Sequence, residues 1–191
     1  KYINSIQQKS REATVIIRHL LKFSRKQNPS IQMYSVDQLI REKVDLVTQI
    51  IGAQINLTTD LNSNGAQVNT DSKLFDQVLM NLVLNAKDAI PANGNISLKS
   101  KIIANHKDSK WFYKLPESTY INLTIQDDGS GIEPHIIEDI FEPFFTTKDE
   151  SVGTGLGLAI VKSILKDING YIFVDSKVDQ GTSFELFFPV T

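Results

Sequence analysis

Four short segments of this 191-residue chain carry side chains whose types and spacing suit phosphate and nucleotide chemistry. Asn81, Asn85 and Asp88 stand at i, i+4 and i+7, which puts three polar groups on one stripe of a helix. Asparagine is a poor helix former, so two in mid-helix need a reason. A carboxamide oxygen is a hard ligand of the kind Mg²⁺ takes beside waters and phosphate oxygens. On this stripe alone, a merely solvated helix face explains the pattern equally well. Asp127-Asp128-Gly129-Ser130-Gly131-Ile132 offers a carboxylate able to accept a hydrogen bond from an exocyclic amine, with glycines that let backbone close over a flat ring. A simple Asp-Gly turn is its alternative. Phe141-Glu142-Pro143-Phe144-Phe145-Thr146-Thr147-Lys148 sets three Phe beside polar residues; such clusters are usually core, but here one could anchor a mobile lid. Gly153-Thr154-Gly155-Leu156-Gly157-Leu158 then opens into an apolar run of helical spacing. Unpaired amides and the positive dipole end of that helix suit a phosphate, and glycine permits φ > 0 and close approach.

The elements that hold these groups alternate along the chain. Asp71 to Ile90 reads as one long helix with Leu74, Val78, Leu79 and Leu82 on its core stripe, closed by Pro91 and Gly94. Strand-like stretches run from Ile31 to Val36, Gln54 to Asp60, Gln67 to Thr70, Ile96 to Ile103, Tyr120 to Asp127, Tyr171 to Ser176 and Ser183 to Pro189, the last two joined by a turn at Gly181. Asp37 can cap a helix reaching about Ile51; His135 to Phe141 is a short helix and Gly155 to Ile168 a longer one. A polar loop over residues 104–118 holds the only Trp. Together these give an α/β (α+β) two-layer sandwich with a mixed sheet and helices on one face. Ahead of it, Ile3, Ile6, Ala13, Ile16, Ile17, Leu20, Leu21 and Phe23 mark an amphipathic helix that Asn28-Pro29 ends. Its broad stripe needs a partner, most simply a second copy of itself. The division is therefore a helix over 1–29 and a domain over 30–191.

With 41% hydrophobic residues the chain can bury a core, and 20 Lys+Arg against 22 Asp+Glu leave no basic surplus that would suggest nucleic acid. There is no cysteine, and so no thiolate or disulfide chemistry. No apolar run approaches membrane-spanning length and no signal peptide is visible. The chain starts without Met inside a helical pattern, so it reads as part of a longer protein, and a missing membrane segment says nothing about that parent.

All four segments, in this order, resemble the nucleotide-binding boxes of sensor histidine kinases, within the superfamily shared with type II topoisomerases, heat-shock chaperone ATPases and mismatch-repair proteins. Asn81 to Ile90 resembles the asparagine box, Asp127 to Ile132 the first glycine box, Phe141 to Lys148 the phenylalanine box and Gly153 to Ile160 the second glycine box; Gly181-Thr182-Ser183-Phe184 resembles the final Gly-Thr motif. The resemblance implies a Bergerat-type ATP-binding fold with ATP and Mg²⁺. In it Asn85 would ligate Mg²⁺, Asn81 would lie close to the metal and the phosphates, and Asp88 would organise the metal shell. Asp127 would bind the adenine amino group, with Thr182 helping through a water. Gly129, Gly131 and Ile132 would line the base, Phe145 would belong to the lid anchor, and Gly153, Thr154, Gly155, Leu156, Gly157 and Leu158 would form the phosphate side of the lid, with Lys148 as a phosphate contact. A cytoplasmic domain follows, with inner-membrane anchoring of the parent left open.

Superfamily members that hydrolyse ATP carry a glutamate where this chain has Asn81, one turn before the metal ligand. Such a base is worth roughly 10²–10⁴-fold in rate. Asn81 cannot take a proton, so the γ-phosphoryl is expected to go to another nucleophile, a histidine, and from there to a response regulator receiver domain. An ATP-hydrolysing conformational switch and a non-catalytic nucleotide scaffold are the alternatives. The segment Ile17-Arg18-His19-Leu20-Leu21-Lys22-Phe23-Ser24-Arg25 resembles the second helix of the family's dimerisation hairpin. The acceptor lies on the first, followed by an acidic residue and a proline, whereas Leu-Leu follows His19. The expectation is a homodimeric parent whose phosphoacceptor helix lies outside this chain, and no self-phosphorylation.

Overall fold

The computed structural model describes residues 30–104, 106–148 and 153–190; the helix expected over 1–29 lies outside them. The described chain begins with β1 (Gln32–Ser35), α1 (Val36–Arg41), α2 (Val44–Ile51), β2 (Ile55–Asn62) and β3 (Gln67–Thr70). It continues through α3 (Ser72–Ala89), β4 (Gly94–Ile103), β5 (Tyr120–Asp127), α4 (Gly157–Asp167), β6 (Tyr171–Lys177) and β7 (Gly181–Pro189). Five strands form one mixed sheet in the order β2-β4-β5-β7-β6, and β1 and β3 make a separate antiparallel pair. β2 and β4 run parallel because α3 crosses between them, the usual requirement for a parallel neighbour. The other pairings in the sheet are antiparallel.

Alternation along the strands separates two faces. Ile96, Leu98, Ile121, Leu123, Ile125, Phe184, Leu186 and Phe188 point to the helices and join Leu39, Ile40, Val47, Phe75, Leu79, Leu82, Val161 and Leu165 in the main core. Leu74 packs against this core from a half-buried position. The helices thus cover one face, as expected. The opposite face is also covered: Trp111 from the 104–118 segment, with buried Leu115, packs on Tyr120, Phe187 and Phe173, and the Trp111 and Phe173 rings stack at 4.8 Å.

Three expectations need correction. The helix from Asp37 to Ile51 is two helices, and Asp37 is not a cap. It lies inside α1, 4% exposed, accepting from Ser63 N at 3.0 Å and from Ser100 Oγ. At the join, Lys43 reaches Asp76 of α3 at 2.7 Å. Residues 135–141 form two 3₁₀ turns, Pro134–Ile136 and Asp139–Phe141, since so short a piece gains too few α-type bonds to offset nucleation. The turn expected at Gly181 lies just before it: Gln180 N donates to Lys177 O at 3.0 Å and Gly181 already pairs with Lys177. α3, by contrast, forms as read, with Asp71 Oδ1 accepting from Lys73 N at 2.8 Å and Leu74 N at 3.3 Å, a standard N-cap. Among the described residues no helix is long and apolar enough to cross a membrane.

Candidate functional site

Three chain segments meet at one end of the sheet: the C-terminal half of α3, the end of β5, and the start of α4. On α3, Asn81 and Asn85 are half-buried. Asn81 Nδ2 is buried without a hydrogen-bond partner, while its Oδ1 faces Gly157, 3.7 Å from where a Cβ there would stand. Asn85 makes no side-chain hydrogen bond to another described residue. A turn further on, Asp88 Oδ2 accepts from Lys148 Nζ at 2.6 Å, an ion pair of two part-exposed groups.

Asp127 ends β5 and is 4% exposed. Its Oδ1 accepts from Gly129 N at 2.9 Å and from Thr182 N at 3.3 Å; Oδ2 accepts nothing from another described residue. Burial pushes its pKa up, the two amide bonds oppose that, and the charge of Asp128 adds to it. Asp128 moves the other way, held down by the Asn95 backbone N–H on Oδ1 and the Asn95 carboxamide on Oδ2, both at 2.7 Å. Glycine is required around Asp127 by close approach of backbone. A Cβ on Gly131, at φ +69°, would stand 2.1 Å from Lys177 O, and one on Gly181 2.0 Å from Asp127 O. A Cβ on Gly129 would meet Ala89 O at 2.5 Å, and Ser130 N donates to that same carbonyl. These contacts lock the glycine turn onto the end of α3 and onto the hairpin.

The phenylalanine segment and the glycine loop are also joined. Phe144 N donates to Gly155 O at 2.9 Å, and a Cβ on Gly155 would collide with the Phe144 carbonyl carbon at 2.3 Å. Phe141 meets Phe184 edge-on and Phe145 packs on the core, whereas Phe144, at φ +70°, is 57% exposed. Gly153 sits against Thr146 Oγ1; Thr154 Oγ1 accepts from Leu156 N at 3.4 Å. Leu156 is buried, and Ile132 and Leu158 pack against the core from half-buried positions.

The open oxygen of Asp127 fits a donor such as an exocyclic amine, and the carboxamides on α3 fit a cation that brings its own phosphate ligands. Residues 70–191 match the family described as "Histidine kinase-, DNA gyrase B-, and HSP90-like ATPase". The chain belongs to that family. It is a histidine kinase-type ATPase domain, and ATP is the nucleotide its family implies. The chain is 38% identical over 188 residues to "Sensor kinase CckA" of Brucella abortus, covering 98% of this chain and 20% of that protein. It is similar in structure to the "Catalytic domain of histidine kinase ThkA", with TM-score 0.67 and 28% identity, covering 85% of this chain and 97% of that one. ThkA "in complex with response regulator protein TrrA" matches with TM-score 0.73 and 26% identity, covering 100% of this chain and 51% of the other. The chain spans only 20–35% of the length of the curated relatives it matches.

The same end of this ATPase domain also holds residues that motif spacing did not single out. Asn95 binds Asp128 through three contacts, since its carbonyl accepts from Asp128 N as well, at 3.3 Å. Ser176 Oγ accepts from Ile132 N at 2.9 Å and stands 2.9 Å from Thr182 Oγ1. The signal for Ser176 lay in the hairpin register, which a turn placed at Gly181 concealed.

Proposed function

We propose that the domain binds Mg²⁺-ATP and transfers the γ-phosphoryl to a histidine on a helix outside this chain, for relay to an aspartate of a response regulator. The observation that carries the nucleotide reading is Asp127: a buried carboxylate with one oxygen held by two backbone amides and the other left for a donor. That oxygen would take the adenine amine, between Ile132 and the glycine turn, with Thr182 beside it. Asn81, Gly153, Thr154, Gly155, Gly157 and Lys148 would face the phosphates.

Among the described residues no cluster of three acidic, His or Cys side chains could hold a metal. Asn85 and the unpartnered Asn81 carboxamide nonetheless fit Mg²⁺, which takes few protein ligands when phosphates and waters complete its shell. Once bound, Mg²⁺ supplies charge neutralisation on the phosphate oxygens. Asn81 argues for transfer over hydrolysis, because no carboxylate stands at its position to activate water. Dependence on ATP puts the domain on the cytoplasmic side of any anchor. The ThkA complex supports a receiver domain as partner, and the apolar stripe of residues 1–27 supports a homodimeric parent.

Incubated with γ-labelled Mg²⁺-ATP, the chain should stay unlabelled alone and should label a histidine on a phosphoacceptor helix supplied in trans. Rapid self-labelling at His19, or multiple-turnover phosphate release without an acceptor, would overturn the assignment.

A further inference from the structure

The one residue between Asp127 and Gly129 is held from outside the glycine turn. Asp127 pairs with Ile96 at the end of the β4–β5 ladder, and Asp128, the next residue, is clamped to Asn95 of β4. Asp128 N donates to Asn95 O at 3.3 Å. Asn95 N donates to Asp128 Oδ1 and the Asn95 carboxamide to Asp128 Oδ2, both at 2.7 Å. Gly94 lets the carboxylate come this close: a Cβ there would stand 2.6 Å from Asp128 Oδ1.

Counting protons fixes the orientation of the clamp. An ionised carboxylate can only accept, so the Asn95 amide must turn its NH2 toward it. The Asn95 Oδ1 then faces away and accepts from Asn56 Nδ2 of β2 at 3.3 Å. The Asn95 backbone and side-chain bonds also hold the Asp128 carboxyl below the usual carboxylate range, so both its oxygens stay acceptors at neutral pH.

The clamp reaches Asp127 through a single peptide. The peptide between Asp128 and Gly129 carries the N–H that donates to Asp127 Oδ1 at 2.9 Å. Beyond it, Ser130 N donates to Ala89 O, at the end of α3, at 2.9 Å. A peptide is planar, so holding the residues on either side of it fixes where that N–H points. With Thr182 N on the same oxygen at 3.3 Å, the Gly129 amide decides which Asp127 oxygen stays open.

We propose that Asn95 and Asp128 are positioning residues for nucleotide binding: their clamp aims the Gly129 amide that holds the Asp127 carboxylate in its binding orientation. This rests on the nucleotide reading above. Both side chains are exposed, so their variants should fold and the effect should appear in affinity. Calorimetry with Mg²⁺-ATP on the domain tests it. Asn95→Asp sets one carboxylate against another, and Asp128→Asn sets one NH2 against another. Each should weaken binding about three- to tenfold, the worth of one hydrogen bond. The sign for Asp128→Asn is informative, because removing a negative charge would by itself tighten binding of an anionic nucleotide. Combining the two substitutions puts a donor opposite an acceptor again, with the roles exchanged, and should recover most of the affinity. On an Asp127→Asn background, either single substitution should cost nothing further. If Asp128→Asn leaves ATP affinity unchanged or tightens it, the positioning role is overturned while the site stands. The same holds if the exchanged pair recovers nothing, or if the single substitutions cost as much without the Asp127 carboxylate. If Asp127→Asn binds ATP as well as wild type does, the nucleotide reading falls, and this inference with it.

Discussion

Asp37 and Asp127 are buried to the same degree, each 4% exposed, and they sit in opposite circumstances. Asp37, within α1, has both oxygens engaged: Oδ2 by Ser63 N and Oδ1 by Ser100 Oγ. It ties α1 to the end of β2 and to the middle of β4. Asp127 has two amides on a single oxygen and nothing from another described residue on the second. A buried carboxylate normally has its lone pairs filled, because desolvation without compensation is expensive. A carboxylate filled on both sides is architecture. One filled on a single side, at the end of a strand and ringed by glycine, fits the binding role proposed for it.

The sharpest way to break this comparison is to remove each carboxylate in turn. Asp37→Ala strands a buried amide and a buried hydroxyl, each costing about 1–3 kcal/mol. Denaturant unfolding should show a loss of about 3 kcal/mol, with ATP affinity of the folded protein unchanged. Equal stability in the variant would show that Asp37 is not the staple described here.

Asp127→Asn should do the reverse. A hydrogen bond to a charged group is worth about 1.5–3 kcal/mol, so ATP affinity should fall about 10- to 150-fold while stability holds or rises. The direction on stability follows from linkage. The Asp127 pKa is raised in the fold, chiefly by burial, so the folded state holds its proton more tightly than the unfolded one. Its contribution to stability is full below the ordinary carboxylate range and is lost as pH rises through its raised value. Ligand binding runs oppositely, since the anion is the better acceptor, so ATP affinity should weaken as pH falls through that raised value. Asp128 is lowered, chiefly by the Asn95 backbone and side-chain bonds; its contribution is present above the ordinary range and is lost only as pH falls through its lowered value. In Asp127→Asn the weakening of ATP binding near the raised value should vanish; if it remains, another group governs it.

The difference between the two aspartates also marks what could be read from the sequence. Asp127 was legible because its glycines follow it at fixed spacing. α3 was legible because a cap, an apolar stripe and a terminating Pro91 all lie within one segment. The misreading of Asp37 has the same source: Asp before an apolar run looks like a cap, and only the tertiary partners Ser63 and Ser100, far along the chain, draw it inward. Those partners leave no local trace. Ser176 was hidden for a subtler reason. Its pairing with Thr182 follows from the hairpin register alone, but a turn placed at Gly181 shifts that register, and a shift of one residue flips every side chain to the other face. The 104–118 segment read only as a polar loop because its packing rests on a few aromatic residues, Trp111 above all, whose partners come from β5, β6 and β7.

Asp88 extends the comparison to the surface, where the expected effects are smallest. Its pair with Lys148 at 2.6 Å joins the phenylalanine segment to α3, but both side chains are about a third exposed or more, 34% for Lys148 and 42% for Asp88. Pairs of this kind contribute about 0–1 kcal/mol, so Lys148→Met and Asp88→Asn should each leave unfolding free energy within about 0.5 kcal/mol of wild type. Their effects on binding should differ in sign. If Lys148 is a phosphate contact, Lys148→Met removes a cation from the triphosphate and should weaken ATP binding about three- to tenfold, more than it weakens adenosine binding. Asp88→Asn releases the same ammonium from its carboxylate and should leave ATP binding equal or tighter. Titrations with ATP and with adenosine on both variants decide the matter. Equal weakening by both variants would make the pair a fixed staple that only an intact carboxylate and ammonium can form. Opposite signs would mean that the ammonium is shared between Asp88 and the phosphates, so that Asp88, unlike Asp37 and Asp127, acts by giving its partner up.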